Sequence, residues 1–480
     1  MDTQAIRKKI LDLALRGKLT EQLPEDGTGQ QLFQHIQERK AVLAGTGKAK
    51  KQESLIPLTK EDIPFEIPDN WQWVRLGDIT AKITSGSTPT GGKKSDAYVD
   101  KGFCFFREQN IYNDGIHSEG MVYITEQLLN TRENSTVIAK DILLNITGGS
   151  IGRCAIVPDD FSKGSINQHI LIIRMVEEET RFFTHLVLCS PYAQNHIKSK
   201  AVGDKEGFSG GRCKYMPVPL PPLPVQKRIV STIHSAFSVL DTIDTLQGQY
   251  QDNLATLKSK IIDAGIQGKL TEQLPEDGNA EELYQQIHTN QGIEKKDIAD
   301  INADLPEIPF TWCWVHLGDI VRVLGGKRIP AGRKLTTEDT GHKYIRISDM
   351  KNRSVDAEKL LFVPEDIYPS IAQYIIHKED VYITVAGTIG RVGKIPESVD
   401  GANLTENADR LVFSNLDQDW LIYCLTSTFV QKQIEYLTTQ VAQPKLAIKR
   451  IQEFLLPLPP LAEQKRIVAK LEELLPLCEG

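Results

Sequence analysis

Four short clusters of lysine and arginine hold the side chains best suited to chemistry in this chain. GGKK at 91–94 supplies Lys93 and Lys94, and GGRCK at 210–214 supplies Arg212 and Lys214. GGKRIPAGRK at 325–334 supplies Lys327, Arg328, Arg333 and Lys334, and KLAIKR at 445–450 supplies Lys445, Lys449 and Arg450. Three of the four adjoin glycine pairs, which predicts loop tips. Flexible backbone carrying Lys or Arg can follow phosphates and reach groove edges. The chemistry such residues offer is noncovalent contact with double-stranded DNA. One such cluster alone reads equally well as a solvated charged loop; four, in two repeated regions, shift the weight toward DNA.

Covalent chemistry finds little support. Methylation of a base amino group needs an Asn/Asp-Pro-Pro-aromatic tetrapeptide and a glycine-rich cofactor loop, and the sequence has neither. GTGKAK at 45–50 lacks the spacing of a phosphate-binding GxxxxGK[ST] loop. Glu294-Lys295-Lys296 imitates the E-x-K of a nuclease but sits in a polar linker without strand context. No HExxH occurs, and the 10 histidines are not paired at ligand spacing. The 7 cysteines form no CxxC, so neither a zinc ribbon nor a redox motif is written, and reduced, mostly buried thiols are expected.

Composition sets the bounds. A chain of 480 residues predicts two to four domains, and 40% hydrophobic with 25% charged residues is a globular profile. No apolar run is long enough to span a bilayer, and the amphipathic start MDTQAIRKKILDLALRGK is not a signal peptide, so a cytoplasmic protein is expected. The net charge of −7 argues mildly against a nucleic-acid partner, but binding follows local charge and not the sum. Acidic residues concentrate in phrases such as EQLPEDG, away from the basic clusters.

The elements that must position these clusters are written twice. GKLTEQLPEDG at 17–27 recurs at 268–278. WQWVRLGDI at 71–79 returns as WCWVHLGDI at 312–320, GSIGR at 149–153 as GTIGR at 387–391, and PLPPLPVQKRIV at 219–230 as PLPPLAEQKRIV at 457–468. The shift is about half the chain, a tandem duplication and not a short-period solenoid. The order is circular: the middle holds PLPPL, QKRIV, a long helical run and GKLTEQLPEDG unbroken, and the two termini hold its end and its beginning. One structural element is thus expected at two symmetry-related positions. In the middle, Leu240, Ile243, Tyr250, Leu254, Leu257 and Ile261 recur at alternating three- and four-residue spacing, with Gln247 the one polar residue on the seam. The pattern predicts a helix over about 226–266, closed by Gly268. The narrow stripe suits a coiled-coil partner; an ordinary long core helix is the other reading. The resulting division is a helical segment 1–44, a linker 45–65, a compact unit 66–223, a helical spacer 224–288, a linker 289–306, a second compact unit 307–461 and a short helix 462–480. Both compact units read as α+β or mainly β.

With these residues in view, the sequence resembles the specificity subunits of type I restriction-modification systems. The paired Trp-x-Trp openings, the GSIGR/GTIGR turns, the PLPPL–QKRIV exits and the circular helical repeat carry the resemblance over nearly the whole chain. It implies an α+β fold with two pseudo-symmetric target-recognition domains separated by long antiparallel coiled-coil-type helices. It implies a chain that is not itself an enzyme and binds no cofactor. S-adenosylmethionine and adenine methylation belong to two modification subunits, and restriction subunits dock on that complex. Each domain would read one half of a bipartite target. The reading loops GSTPTGGKKSD and GGKRIPAGRK differ, so the half-sites should differ. One departure is the C-terminal helix: residues 464–480 alone are available to match a helix that starts near Gln226, and Pro476 falls where Ser238 stands in the first copy. The seam from Ile243 to Leu254 is therefore expected to lack cover within the chain. Two rivals stay open: a coiled-coil adaptor that does not touch DNA, and a truncated or recombined specificity subunit completed by another chain. Salt-dependent DNA affinity separates the first rival from the DNA reading.

Overall fold

The computed structural model describes residues 1–45, 55–89, 97–200, 207–291, 305–438 and 445–479. The chain divides into two compact units, Met1–Gln247 and Gly248–Gly480. No helix among the described residues is long and apolar enough to cross a membrane.

Each unit holds two packed sheets, and the strand orders correspond. In the first unit a four-stranded sheet runs Cys154–Ile156, Ile142–Asn145, Ile170–Met175, Thr80–Ser85; in the second it runs Val392–Lys394, Val381–Thr384, Ala408–Val412, Arg322–Gly325. The other sheet of the first unit runs Tyr98–Val99, Val122–Ile124, Phe103–Phe106, Lys163–Ile166, Thr136–Ile138. Its counterpart has a single bridge, Thr336 to Phe362, in place of the first strand and runs Leu361–Phe362, Lys343–Ile345, Ala402–Leu404, Ile375–Ile376. One parallel pair lies inside each of these sheets, Phe103–Phe106 with Lys163–Ile166 and Lys343–Ile345 with Ala402–Leu404. Apart from that one edge strand, the two units share one strand order.

The period of two along a strand explains the layering. Leu171 and Ile173 join the core that the helices cover, with Phe183, Leu186 and Ile229. Ile170 and Ile172 point the other way, onto Phe106 and Ile166 of the second sheet. In the second unit Val381 and Ile383 face the helices while Tyr382 and Ala408 face the opposite core. The Trp-x-Trp openings pair with the proline-rich exits as two-stranded ribbons, Gln72–Arg75 with Pro217–Leu220 and Cys313–His316 with Leu455–Leu458. Each ribbon joins the start of its domain to the end.

The long helix spans Leu223–Ile266, 44 residues, about 66 Å at 1.5 Å per residue. Pro224 at its second position is tolerated because the first turn has no intrahelical acceptor to lose. It ends where the sequence predicts. Gly268 adopts φ +70°, its N–H reaches Gly265 O at 3.1 Å, and Lys269 N–H reaches Ala264 O at 2.9 Å. The N-terminal helix Thr3–Leu15 closes with the same two bonds, from Gly17 to Ala14 and from Lys18 to Leu13.

Bonds inside each unit account for the circular repeat. In the first, Arg228 at the start of the long helix donates to Asp26 of the first GKLTEQLPEDG and to Glu21 O. In the second, Arg466 of the C-terminal helix Leu461–Leu474 donates to Asp277 and Glu272 O of the other copy. Both helix pairs run antiparallel: Thr3 meets Asp244 while Arg7 meets Asp241, and Leu471 packs on Gly265 while Lys258 pairs with Glu479. The C-terminal helix gives way to a 3-10 turn, Leu475–Cys478, at Pro476. Of the seam, Leu240 is buried, Ile243, Leu254 and Ile261 are half-buried, and Tyr250 and Leu257 are exposed. Leu246 on the same stretch is 57% exposed. All seven cysteines are free thiols, four of them buried.

Candidate nucleic-acid interface

Three of the basic residues meet at one edge of the second unit. The strand Arg322–Gly325 leads into Gly326, and a Cβ there would collide with the carbonyl oxygens of Thr405 and Leu404. Gly326 has no positive φ, so close approach and not backbone conformation requires the glycine. The crossing fixes the next two residues. Lys327 N–H donates to Leu404 O at 2.8 Å, Tyr344 Oη donates to Lys327 O at 2.9 Å, and the Lys327 ammonium lies 5.7 Å from the Tyr374 ring centre. Arg328 Nε donates to Glu406 Oε1 at 2.5 Å, with the arginine side chain 73% exposed.

Lys445 joins this edge through Asp409. Burial pushes the Asp409 carboxyl up to about 6, and Lys445 nearby pulls it the other way. Both Asp409 and Ile448 lie beside Gly325, so the short helix Ile448–Gln452, which carries exposed Lys449, abuts the same strand. Arg333 and Lys334 are exposed further along, and Arg333 is paired with Asp366.

One expectation of a loop tip fails. Arg212 and Lys214 lie in a helix, Gly210–Tyr215, despite its glycine pair. Ser209 Oγ caps it by accepting from Arg212 N–H, and fully buried Cys213 anchors it. Lys449 is likewise helical, because buried Ile451 pins that turn to the core. Arg212 donates to Lys200 O, and Lys214 is half-buried against Gly77. Lys93 and Lys94 lie outside the described residues.

The first unit builds the same crossing. The strand Thr80–Ser85 leads into Gly86, where a Cβ would collide with Ile166 O and Asn167 O. Thr88 Oγ1, two residues on, donates to Gln168 Oε1. Gln168 contacts His169 Nε2 at 3.0 Å, and His169 Nδ1 contacts Thr147 Oγ1 at 2.6 Å. Sequence reasoning missed Thr88, Gln168 and Glu406. The available signal was positional: Gln168 and Glu406 stand 238 residues apart, the shift of the GSIGR/GTIGR repeat.

The glycine turns that carried the repeat are equivalent too. Gly152 and Gly390 have φ +88° and +84°, and their carbonyls accept from Gln194 and Gln431 at 2.8 and 3.1 Å. The model of the type I restriction modification DNA specificity domain matches twice, over residues 68–250 and 309–478. The chain belongs to this family. Within the specificity-domain family, it is 25% identical to the EcoAI type I restriction enzyme specificity subunit of Escherichia coli, covering 98% of this chain and 89% of that one. It is 23% identical to the MjaVIII specificity subunit of Methanocaldococcus jannaschii, with 86% and 88% covered. A solved structure titled for complex assembly and conformational transition of the type I R-M system shares the fold at TM-score 0.60 and 18% identity, covering 87% of this chain and 93% of that one.

Proposed function

We infer that this chain is the DNA-recognition subunit of a type I restriction-modification complex acting in the cytoplasm, without catalytic chemistry of its own. Each unit reads one half of a bipartite, asymmetric target. The helices fix the spacing of the halves, leave the bases between them unread, and carry two modification subunits that bind S-adenosylmethionine and methylate adenine. Restriction subunits dock on that assembly. The observation that carries this reading is a family match in both halves of the chain, joined to two units of one strand order whose crossing loops bear different side chains.

The test is to assemble the chain with its modification subunit, measure DNA affinity across a salt series, and map methylated sites in cells carrying the pair. The expected outcome is one split motif with unlike halves and an affinity that falls steeply with salt. Salt-insensitive association, or no motif, would leave the adaptor reading.

A further inference from the structure

The two loop crossings are built alike and differ where they face outward. In each unit a glycine lets one segment touch the other's carbonyls, so the positions of both segments are fixed by backbone contact. In each, the residue two beyond that glycine bonds a side chain two beyond the facing strand: Thr88 to Gln168, after Lys163–Ile166, and Arg328 to Glu406, after Ala402–Leu404. Thr88, Gln168 and Arg328 are exposed, and Glu406 is partly covered. The scaffold is duplicated; the chemistry presented on it is not.

That chemistry separates base reading from phosphate contact. A phosphate is best met by a free cation, and a carboxylate beside it repels it. Arg328 has Nε committed to Glu406, which leaves its two Nη groups as a fixed fork beside a negative charge. Such a fork suits the O6 and N7 acceptors of guanine in the major groove. Gln168 has its carboxamide oxygen on Thr88 and its nitrogen 3.0 Å from His169 Nε2, and the second N–H and second lone pair that remain match N7 and N6 of adenine. Neither Thr88 nor Gln168 adds charge for a phosphate.

We propose that these crossings are the base-reading points of the two units, Gln168 with Thr88 reading adenine and Arg328, held by Glu406, reading guanine. The proposal rests on the DNA-recognition reading above and assigns its specificity to four residues. Lys327 and Lys445 beside the second crossing then serve the phosphates.

The experiment uses the full chain assembled with its modification subunit. Duplexes carry the mapped motif or single-base changes of it, and affinity for each is measured for wild type, Arg328→Lys, and the double variant Arg328→Thr with Glu406→Gln. Arg328→Lys keeps the charge and loses the fork. Its expected result is a roughly ten- to hundredfold loss of discrimination at one guanine of one half-site, with affinity for unrelated duplex unchanged. The double variant should shift methylation at that position toward adenine and leave the other half-site intact. Unchanged discrimination in Arg328→Lys would overturn the proposal. So would an equal loss on cognate and unrelated duplex, the mark of a phosphate contact or a damaged fold. A wild-type complex that binds DNA without selecting any motif would instead sink the recognition reading itself, and this assignment with it.

Discussion

At the scale of single residues, charge matters by what is left free. Lys327 and Lys445 are exposed at the second unit's loop edge, whereas Arg328 and Arg333 are tied to Glu406 and Asp366. Lys327→Ala combined with Lys445→Ala is therefore expected to lower the salt slope of DNA binding by roughly 2, about one for each phosphate no longer neutralised. An unchanged slope in a salt titration would place these lysines away from DNA. Asp409 gives a pH signature at the same edge. Burial raises its carboxyl from 3.8 to about 6, so the folded chain holds that proton more tightly than the unfolded chain. Its contribution is fully present below about pH 4 and declines as pH rises toward 6. Asp409→Asn should flatten that decline, read as the urea midpoint from pH 4 to 7. A parallel decline in the variant would assign the effect to another group.

At the scale of elements, the repeated phrase works as the closing piece of each unit. Arg228 reaches Asp26 at 2.8 Å and Arg466 reaches Asp277 at 2.7 Å, and both carboxylates are almost fully covered. Arg228→Ala or Arg466→Ala strands a covered carboxylate, and each is expected to destabilise by roughly 2–3 kcal/mol, seen by denaturant unfolding. Gly268 tests the helix end. It sits at φ +70°, and a Cβ would strike Pro309, whereas Gly332 at φ +81° faces open space. Gly332→Ala should cost about 1 kcal/mol, the left-handed strain alone, and Gly268→Ala clearly more because overpacking adds to it. Equal costs would mean that Pro309 yields to the added methyl. These joints explain what the sequence made legible. Identical partners must recur wherever one joint is built twice, so Arg228–Asp26 and Arg466–Asp277 survive as the readable phrases QKRIV and LPEDG. The long helix was legible from its apolar spacing. The crossings were not, because Thr88 and Gln168 are 80 residues apart and Arg328 and Glu406 78, with no residue type in common. The helices under Arg212 and Lys449 were hidden for a related reason: one buried anchor, Cys213 or Ile451, outweighs local glycine or lysine composition.

At the scale of the whole molecule, the chain carries a net charge of −7 and a long helix on which, among the described residues, apolar side chains stand exposed. Arg7 and Thr3 cover the helix as far as Asp244, and cover resumes near Lys258 with Glu479. Between them Leu246 and Tyr250 are 57% and 54% exposed. Apolar side chains left in water at that length invite a partner, and burying each is worth roughly 1.5–3 kcal/mol. In the recognition reading that partner is a modification subunit. Leu246→Glu with Tyr250→Glu is expected to leave thermal unfolding of the isolated chain nearly unchanged, because both side chains are more than half exposed. The same pair should weaken association with the modification subunit at least tenfold, since two charges would enter an apolar interface. Sedimentation of the mixed proteins measures this directly. Undiminished assembly would show that the modification subunit docks elsewhere, and a loss of unfolding cooperativity in the chain alone would show that this stretch already has a partner within it.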